Sequence, residues 1–216
     1  MIKIKSEYPE EFWKSNEYLK EISGHDFEVE DFLGEKSIGD GDIAARLSWD
    51  FKSEAMSQSF TFTVRSELVR KYAWAIPTPE TLAMVAKYSP LIEIGAGTGY
   101  WAYLLTKLGA DIICYDNDRN FPRDVYYLVN VGGEKEASKY GDRTLFLCWP
   151  PYNEAMAANC LKAYTGNTLI YIGEGAGMCT GDDEFHEILE KEWKEIECCE
   201  LLKWSGLHDH LWVYGK

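Results

Sequence analysis

A chain of 216 residues, 46% hydrophobic and 14% aromatic with 8 Trp, carries enough apolar surface for one core of α/β size, which excludes a disordered chain and makes disulfide staples unnecessary. With 22 Lys plus Arg against 36 Asp plus Glu, the formal net charge is -14 and the basic residues do not cluster, so nucleic acid is disfavoured as a partner. No stretch approaches the ~18 uninterrupted apolar residues of a membrane span, and the opening "MIKIKSEYPEEFW" lacks the apolar run of a secretory signal; the expectation is a soluble, cytoplasmic protein with no membrane partner.

Two regions differ in texture. Residues 1–75 read as a mostly helical N-terminal cap: Tyr8, Phe12, Leu19 and Ile22 recur at helical spacing, and Leu68, Val69 and Tyr72 do so later. Between them "SIGDGDI" reads as a loop and "SFTFTV" as a short strand or part of a helix. "GEKS" at 34–37 is not a phosphate loop, because Glu35 stands where the glycine before Lys36 is required.

Residues 76–216 read as a single α/β core. Thr78 as N-cap and Pro79 at the first helical position open a helix whose Leu82, Val85 and Ala86 face inward. Short apolar runs then alternate with helical stretches: "LIEIG", a helix from about Tyr100, "DIICYD", "YYLVNV", "TLFLCW", a helix from about Glu154, "TLIYIG", and the helix "DDEFHEILEKEWKEI". Apolar strands separated by helices predict parallel strands buried on both faces, a doubly wound, mainly parallel α/β sheet. "CCELLKW" and "HLWVYGK", linked by "SGLHD", predict an antiparallel hairpin at its C-terminal end.

"LIEIGAGTGYWAYLL" places Glu93, Gly95, Gly97 and Gly99 where the first core strand turns into a helix, so the backbone can approach a ligand closely. A nicotinamide fingerprint needs a glycine at the position of Tyr100, whose bulk disfavours an oxidoreductase. The spacing resembles instead the class I S-adenosylmethionine-dependent methyltransferases, and the resemblance spans roughly residues 76–216. It implies a seven-stranded sheet and S-adenosylmethionine as cofactor. It also implies that Glu93 organises the loop and the methionine ammonium side, that Gly95, Gly97 and Gly99 line the cofactor, and that Asp116 accepts both ribose hydroxyls. Glu134, after "YYLVNVGG", corresponds to an acid near the adenine amino group; an acid opening a helix after a turn reads equally well.

In such a sheet the ligand lies at the carboxyl ends of the strands, where the strand order reverses; the resemblance puts that crevice between the first and fourth strands. "FLCWPPYNE" follows the fourth strand and is close to the signature of enzymes that methylate exocyclic amino groups of bases, with Trp149 in place of Asn or Asp. An indole donates one hydrogen bond and accepts none, so Trp149 becomes an aromatic wall beside the cofactor. Cys148 is expected on the opposite side of the strand. Glu174, in the glycine-rich loop after the fifth strand, and Tyr152 are the candidate catalytic or substrate-orienting residues.

His208, Asp209 and His210 in "LHDHL" read as polar hairpin residues rather than a metal site, and His186 as structural. Six cysteines without a CxxC spacing signal neither a disulfide framework nor zinc. The function these features predict is methyl transfer to a small-molecule substrate; a non-catalytic cofactor-binding or interaction protein of the same fold is the alternative. The acceptor atom and the oligomeric state are not written in the sequence.

Overall fold

The computed structural model describes residues 16–18, 21, 65–117, 125–204 and 207–216. The expected periodicity at 8, 12, 19 and 22, the "SIGDGDI" loop, "GEKS" and the "SFTFTV" segment lie outside them.

The described core runs in the order α1 (Pro79–Lys87), β1 (Leu91–Ile94), α2 (Tyr100–Lys107), β2 (Ile112–Asp116), β3 (Val129–Val131), a 3-10 helix (Glu134–Lys139), β4 (Thr144–Cys148), α3 (Met156–Ala163), β5 (Thr168–Gly173), α4 (Asp183–Glu192), β6 (Lys194–Glu200) and β7 (His210–Gly215). Among the described residues seven strands form one sheet in the order β3-β2-β1-β4-β5-β7-β6. The pairs β1–β2, β2–β3, β1–β4 and β4–β5 are parallel, while β7 runs antiparallel to both of its neighbours, β5 and β6. This is the mainly parallel, doubly wound sheet with an antiparallel C-terminal hairpin that the alternating pattern predicted.

Strand alternation sorts the apolar side chains onto two faces. Leu91, Cys114, Phe146, Ile170, Ile172 and Val213 pack with Leu82 and Val85 of α1 and Trp101, Leu104 and Leu105 of α2. Ile92, Ile94, Leu145, Leu147, Leu169 and Tyr171 pack on the other face with Ala157 and Leu161 of α3 and Phe185 and Leu189 of α4. Burying each Leu, Ile or Phe stabilises the fold by about 1.5–3 kcal/mol before conformational entropy is counted. The chain winds outward through β1, β2 and β3, then returns to place β4 beside β1, so the strand order reverses between these two and leaves a crevice at their carboxyl ends.

Local chemistry sets the helix boundaries. Thr78 caps α1 through a reciprocal box with Thr81, with Pro79 as the first helical residue, and Asp182 caps α4 by accepting from the Phe185 N–H at 2.9 Å. One boundary differs from the sequence reading. α4 stops at Glu192 rather than running to Ile196, because Trp193 turns extended (φ -121°, ψ 144°), stacks on Tyr164 at 6.3 Å, and releases Lys194–Glu200 to pair with β7 as the edge strand. Pairing with β7 outweighs the helical preference of a Lys- and Glu-rich segment. β6 therefore begins before "CCELLKW", and its connection to β7 is longer than "SGLHD".

The described N-terminal residues are stitched to the helix that follows the glycine loop. Tyr18, Leu68, Tyr72 and Ala75 share the apolar cluster of α1 and α2. The Tyr100 hydroxyl donates to Asn16 Oδ1 at 2.9 Å and accepts from the Tyr18 N–H at 3.1 Å; Trp101 Nε1 donates to the Ala75 carbonyl at 3.3 Å, and Thr98 Oγ1 to that of Tyr72. The bulk of Tyr100, which disfavours a nicotinamide loop, serves here as the anchor for the N-terminal segment. Among the described residues no helix is long and apolar enough to cross a membrane.

Candidate functional site

The chain leaves β1 through Gly95, Gly97 and Gly99 at φ of 80°, 56° and 72°, a region that a Cβ makes costly. At Gly99, which opens α2, a Cβ would also stand 3.1 Å from Tyr127 Cβ and Val129 Cγ2. The Gly95 and Ala96 N–H groups donate to the Tyr115 carbonyl at 2.8 and 3.1 Å, and the Gly97 N–H donates to Asp116 Oδ2 at 2.8 Å. The acid ending β2 thus holds the loop that follows β1.

Glu93, in the middle of β1, is 1% exposed. Burial pushes its carboxyl up to about 8; the Cys114 thiol, donating at 3.5 Å, opposes the shift and the Asp116 charge adds to it. At neutral pH such a carboxyl stays largely protonated unless a cation arrives to share its charge. Glu93, Gly95, Gly97, Asp116 and Trp149 line one cavity of about 240 Å³ at the strand-order reversal, together with Asn117, Cys148, Met156, Val69, Tyr72 and Trp74.

Other sequence candidates lie elsewhere. Gly99 sits outside this lining, at the start of α2. Glu134 opens the 3-10 helix and faces α3, where it adds to burial in pushing the Cys160 thiol up to about 12. Tyr152 is 66% exposed on the turn after Pro151 and is not part of the lining. Glu174 is buried at 1% exposure, with Oε2 accepting from the Cys179 N–H at 3.0 Å and Oε1 from the His208 N–H at 2.8 Å. It ties the glycine-rich loop after β5 to the approach to β7 and is not part of the cavity lining.

On the β4 side, Trp149 holds a left-handed backbone (φ 55°), rare for a bulky residue and a mark of constraint. Its N–H donates to the Ile172 carbonyl at 2.7 Å, and its ring stacks on Trp74 at 5.2 Å and 12°. The Arg65 guanidinium lies 5.3 Å from the Trp74 ring centre and 5.6 Å from that of Trp149. This backbone turn also corrects the expectation from strand alternation: Cys148 and Trp149 both line the cavity instead of pointing apart.

Asp209, one residue before β7, is 1% exposed. Burial raises its carboxyl to about 6, opposed by the Trp149 indole N–H and by Arg65, with Glu174 adding to the rise. The indole N–H is near enough to influence the carboxyl, yet neither Trp149 Nε1 nor Asp209 Oδ1 completes a hydrogen bond. Arg65, Trp74 and Asn117 were not singled out by sequence reasoning, and Asp209 was read only as a polar hairpin residue. "LHDHL" contains Asp209, but nothing in that pattern signals its burial. Among the described residues no group of three or more His, Cys, Asp or Glu side chains is placed to hold a metal ion.

No protein-family model and no curated protein matches this chain. Among solved structures, magnesium protoporphyrin IX methyltransferase from Synechocystis PCC 6803 with bound S-adenosylmethionine is similar at 11% identity and a TM-score of 0.46, covering 98% of this chain and 100% of that one. A mutant of MtNAS in complex with S-adenosylmethionine is similar at 15% identity and a TM-score of 0.48, over 80% of this chain and 70% of that one. A putative tRNA (m1A22) methyltransferase from Streptococcus pneumoniae is similar at 12% identity and a TM-score of 0.43, over 63% of this chain and 72% of that one. At this identity and TM-score none of these likenesses assigns a reaction or a substrate to this chain.

Proposed function

We propose that this chain binds S-adenosylmethionine in the crevice between β1 and β4 and transfers its methyl group to a small molecule. The observation that carries this reading is the convergence of Glu93, Gly95, Gly97, Asp116 and Trp149 on one cavity at the strand-order reversal. The residues suit the cofactor chemically. Glu93 is a desolvated carboxyl that gains its charge most readily beside an ammonium, and Asp116 brings carboxylate oxygens to the end of β2 for adjacent ribose hydroxyls. The glycines remove side chains from the loop where a ligand must lie against the backbone.

When bound, the cofactor supplies an electrophilic methyl group on a sulfonium. The chain's part is to fix the acceptor in line with that methyl and to exclude water, and Trp149 with Trp74 forms an aromatic wall suited to this. A cavity of about 240 Å³ is smaller than the ~300–1,000 Å³ typical of sites for drug-sized ligands, so a complete nucleoside ligand has to displace part of the lining. The flexible Met156 side chain and Trp74, 45% exposed, are the parts of the wall best able to move. A small acceptor is supported by the net charge of -14 and by the absence of an acceptor atom on Trp149 for a base amino group.

Calorimetry with S-adenosylmethionine and S-adenosylhomocysteine is the first test, and no binding of either at millimolar concentration sinks the proposal. Transfer of label from methyl-labelled cofactor to a component of a metabolite extract separates a working enzyme from a protein that only binds the cofactor.

A further inference from the structure

A second cavity, of about 690 Å³, lies between α4 and the β7–β6 edge of the sheet and shares no lining residue with the crevice. Among the described residues α4 is the last helix, and Trp212 and Tyr214 of β7 stay only partly buried on the face beside it. The two side chains share that face by strand alternation. The register sets Trp212 directly across from Tyr171, and their rings stack at 5.2 Å and 11°. These three aromatics, with Leu189 and the α4 C-cap Trp193, make an apolar floor. Burial, with the Glu195 and Cys198 charges, pushes the Tyr214 hydroxyl up to about 12, so the floor stays neutral.

The walls are acidic. Asp183, Glu187 and Glu190 stand at i, i+4 and i+7 along α4, with ~5–6 Å between successive Cβ atoms, and Glu195 joins them from β6, where it lies opposite Tyr214. No lysine or arginine is part of the lining. Acids nearby but outside it are matched by lysines: Glu184 by Lys162 at 2.6 Å, Glu192 by Lys216 at 3.4 Å, and Glu197 by Lys87. Within it Glu187 meets Lys191 at 2.7 Å, whereas among the described residues Asp183, Glu190 and Glu195 form no ion pair. Like charges one helical turn apart repel, and a cation from outside relieves that repulsion. The chain supplies its own example of the fit beside the groove. Lys216 Nζ lies 4.7 Å from the Trp193 ring centre as well as against Glu192, so an aromatic face and a carboxylate hold one ammonium together.

We infer that this groove binds a linear aliphatic polyamine, whose ammonium groups meet Asp183, Glu190 and Glu195 while its methylenes lie on Trp212 and Tyr214. Amines separated by three or four carbons match carboxylates spaced by about one turn of helix, and the volume lies within the ~300–1,000 Å³ of small-molecule sites. A bare metal ion does not suit the row, because among the described residues no three acidic, His or Cys side chains are placed to hold one. A second copy of this chain, at a net charge of -14, would add repulsion instead of neutralising it. The inference is independent of the proposed methyl transfer, since the two cavities have no residue in common.

The test uses the full chain, spermidine as the probe and hexaamminecobalt(III), a compact ion of the same charge, as the control. Calorimetry is expected to show one spermidine per chain, bound at least ~tenfold tighter than the control, which can neither follow the row nor cover the aromatic floor. Glu190→Gln combined with Glu195→Gln should weaken spermidine ~tenfold. Glu80→Gln combined with Asp142→Asn makes the same change in net charge at exposed acids outside the groove, and should weaken it less than ~twofold. Both double variants are checked for an intact thermal transition, and both should keep the wild-type affinity for S-adenosylhomocysteine. Absence of saturable spermidine binding at millimolar concentration overturns the inference. So does equal affinity for probe and control, or an equal loss in the two double variants, because diffuse charge then accounts for the binding. An acetylated penta-arginine peptide that binds more tightly than spermidine also overturns it, and makes the groove a peptide-docking face.

Discussion

On the β1 side of the crevice the loop is held by groups that satisfy one another: the Gly97 N–H meets Asp116, and the Gly95 and Ala96 N–H groups meet the Tyr115 carbonyl. On the β4 side Trp149, Asp209 and Arg65 lie buried against each other with polar atoms left over. The first wall is a preformed cradle whose geometry is complete without a ligand. The second sets the Trp149 indole N–H against the buried Asp209 carboxyl beside Arg65, with the geometry of a full hydrogen bond unmet. The two walls of one crevice therefore differ in kind: one is fixed by backbone hydrogen bonds, the other by packed aromatic and charged side chains.

The sharpest way to break this division is Glu93→Gln. It is expected to weaken S-adenosylhomocysteine ~100-fold or more by calorimetry, through loss of the charge that faces the ligand ammonium. The same variant should change the pH dependence of stability. The folded Glu93 carboxyl titrates at about 8 against an ordinary value of 4.5, so the unfolded chain releases this proton first and stability falls as the pH rises from about 4.5 to about 8. Glu93→Gln should flatten that decline and raise Tm above pH 8 relative to the wild-type chain. A steeper decline in the variant would contradict the buried, neutral state of Glu93.

Asp116→Asn is expected to cost ~10- to 100-fold in S-adenosylhomocysteine affinity, because an amide accepts through one atom where the carboxylate accepts through two. An undiminished affinity in the folded variant would remove Asp116 from the ligand site. Next in size, Gly99→Ala should destabilise the fold by ~1–3 kcal/mol in denaturant, combining a left-handed backbone with crowding against Tyr127 and Val129. Tyr152→Phe should be the smallest change, within about 0.5 kcal/mol in stability and without effect on S-adenosylhomocysteine affinity, because that side chain is 66% exposed and outside the cavity.

The legibility of the two walls differs for the same reason as their chemistry. Glu93, the glycines and Asp116 sit at two neighbouring strand ends, and the backbone constraints that position them are local, so spacing along the chain exposes them. "FLCWPPYNE" placed Trp149 after the fourth strand, but its left-handed turn and its stack on Trp74 were not visible there. Glu174 was placed on the correct loop and its burial missed. The sequence reading treated it as a crevice acid, whereas two backbone N–H groups occupy its oxygens and it supports the segment carrying Asp209.

By itself the sequence determined the alternation of strands and helices, the two apolar faces of the sheet, and the glycine loop with its acid. These follow from periodicity and from backbone rules that act over a few residues. Only the tertiary structure decided which polar side chains became buried together. Tyr18, Arg65, Trp149, Trp204 and Asp209 come from well-separated parts of the chain, and their meeting depends on how the N-terminal segment and the approach to β7 close over the ends of β4 and β5. Burial and unpaired hydrogen-bonding capacity are properties of that assembly, because the same side chains in an open chain would all be paired with water.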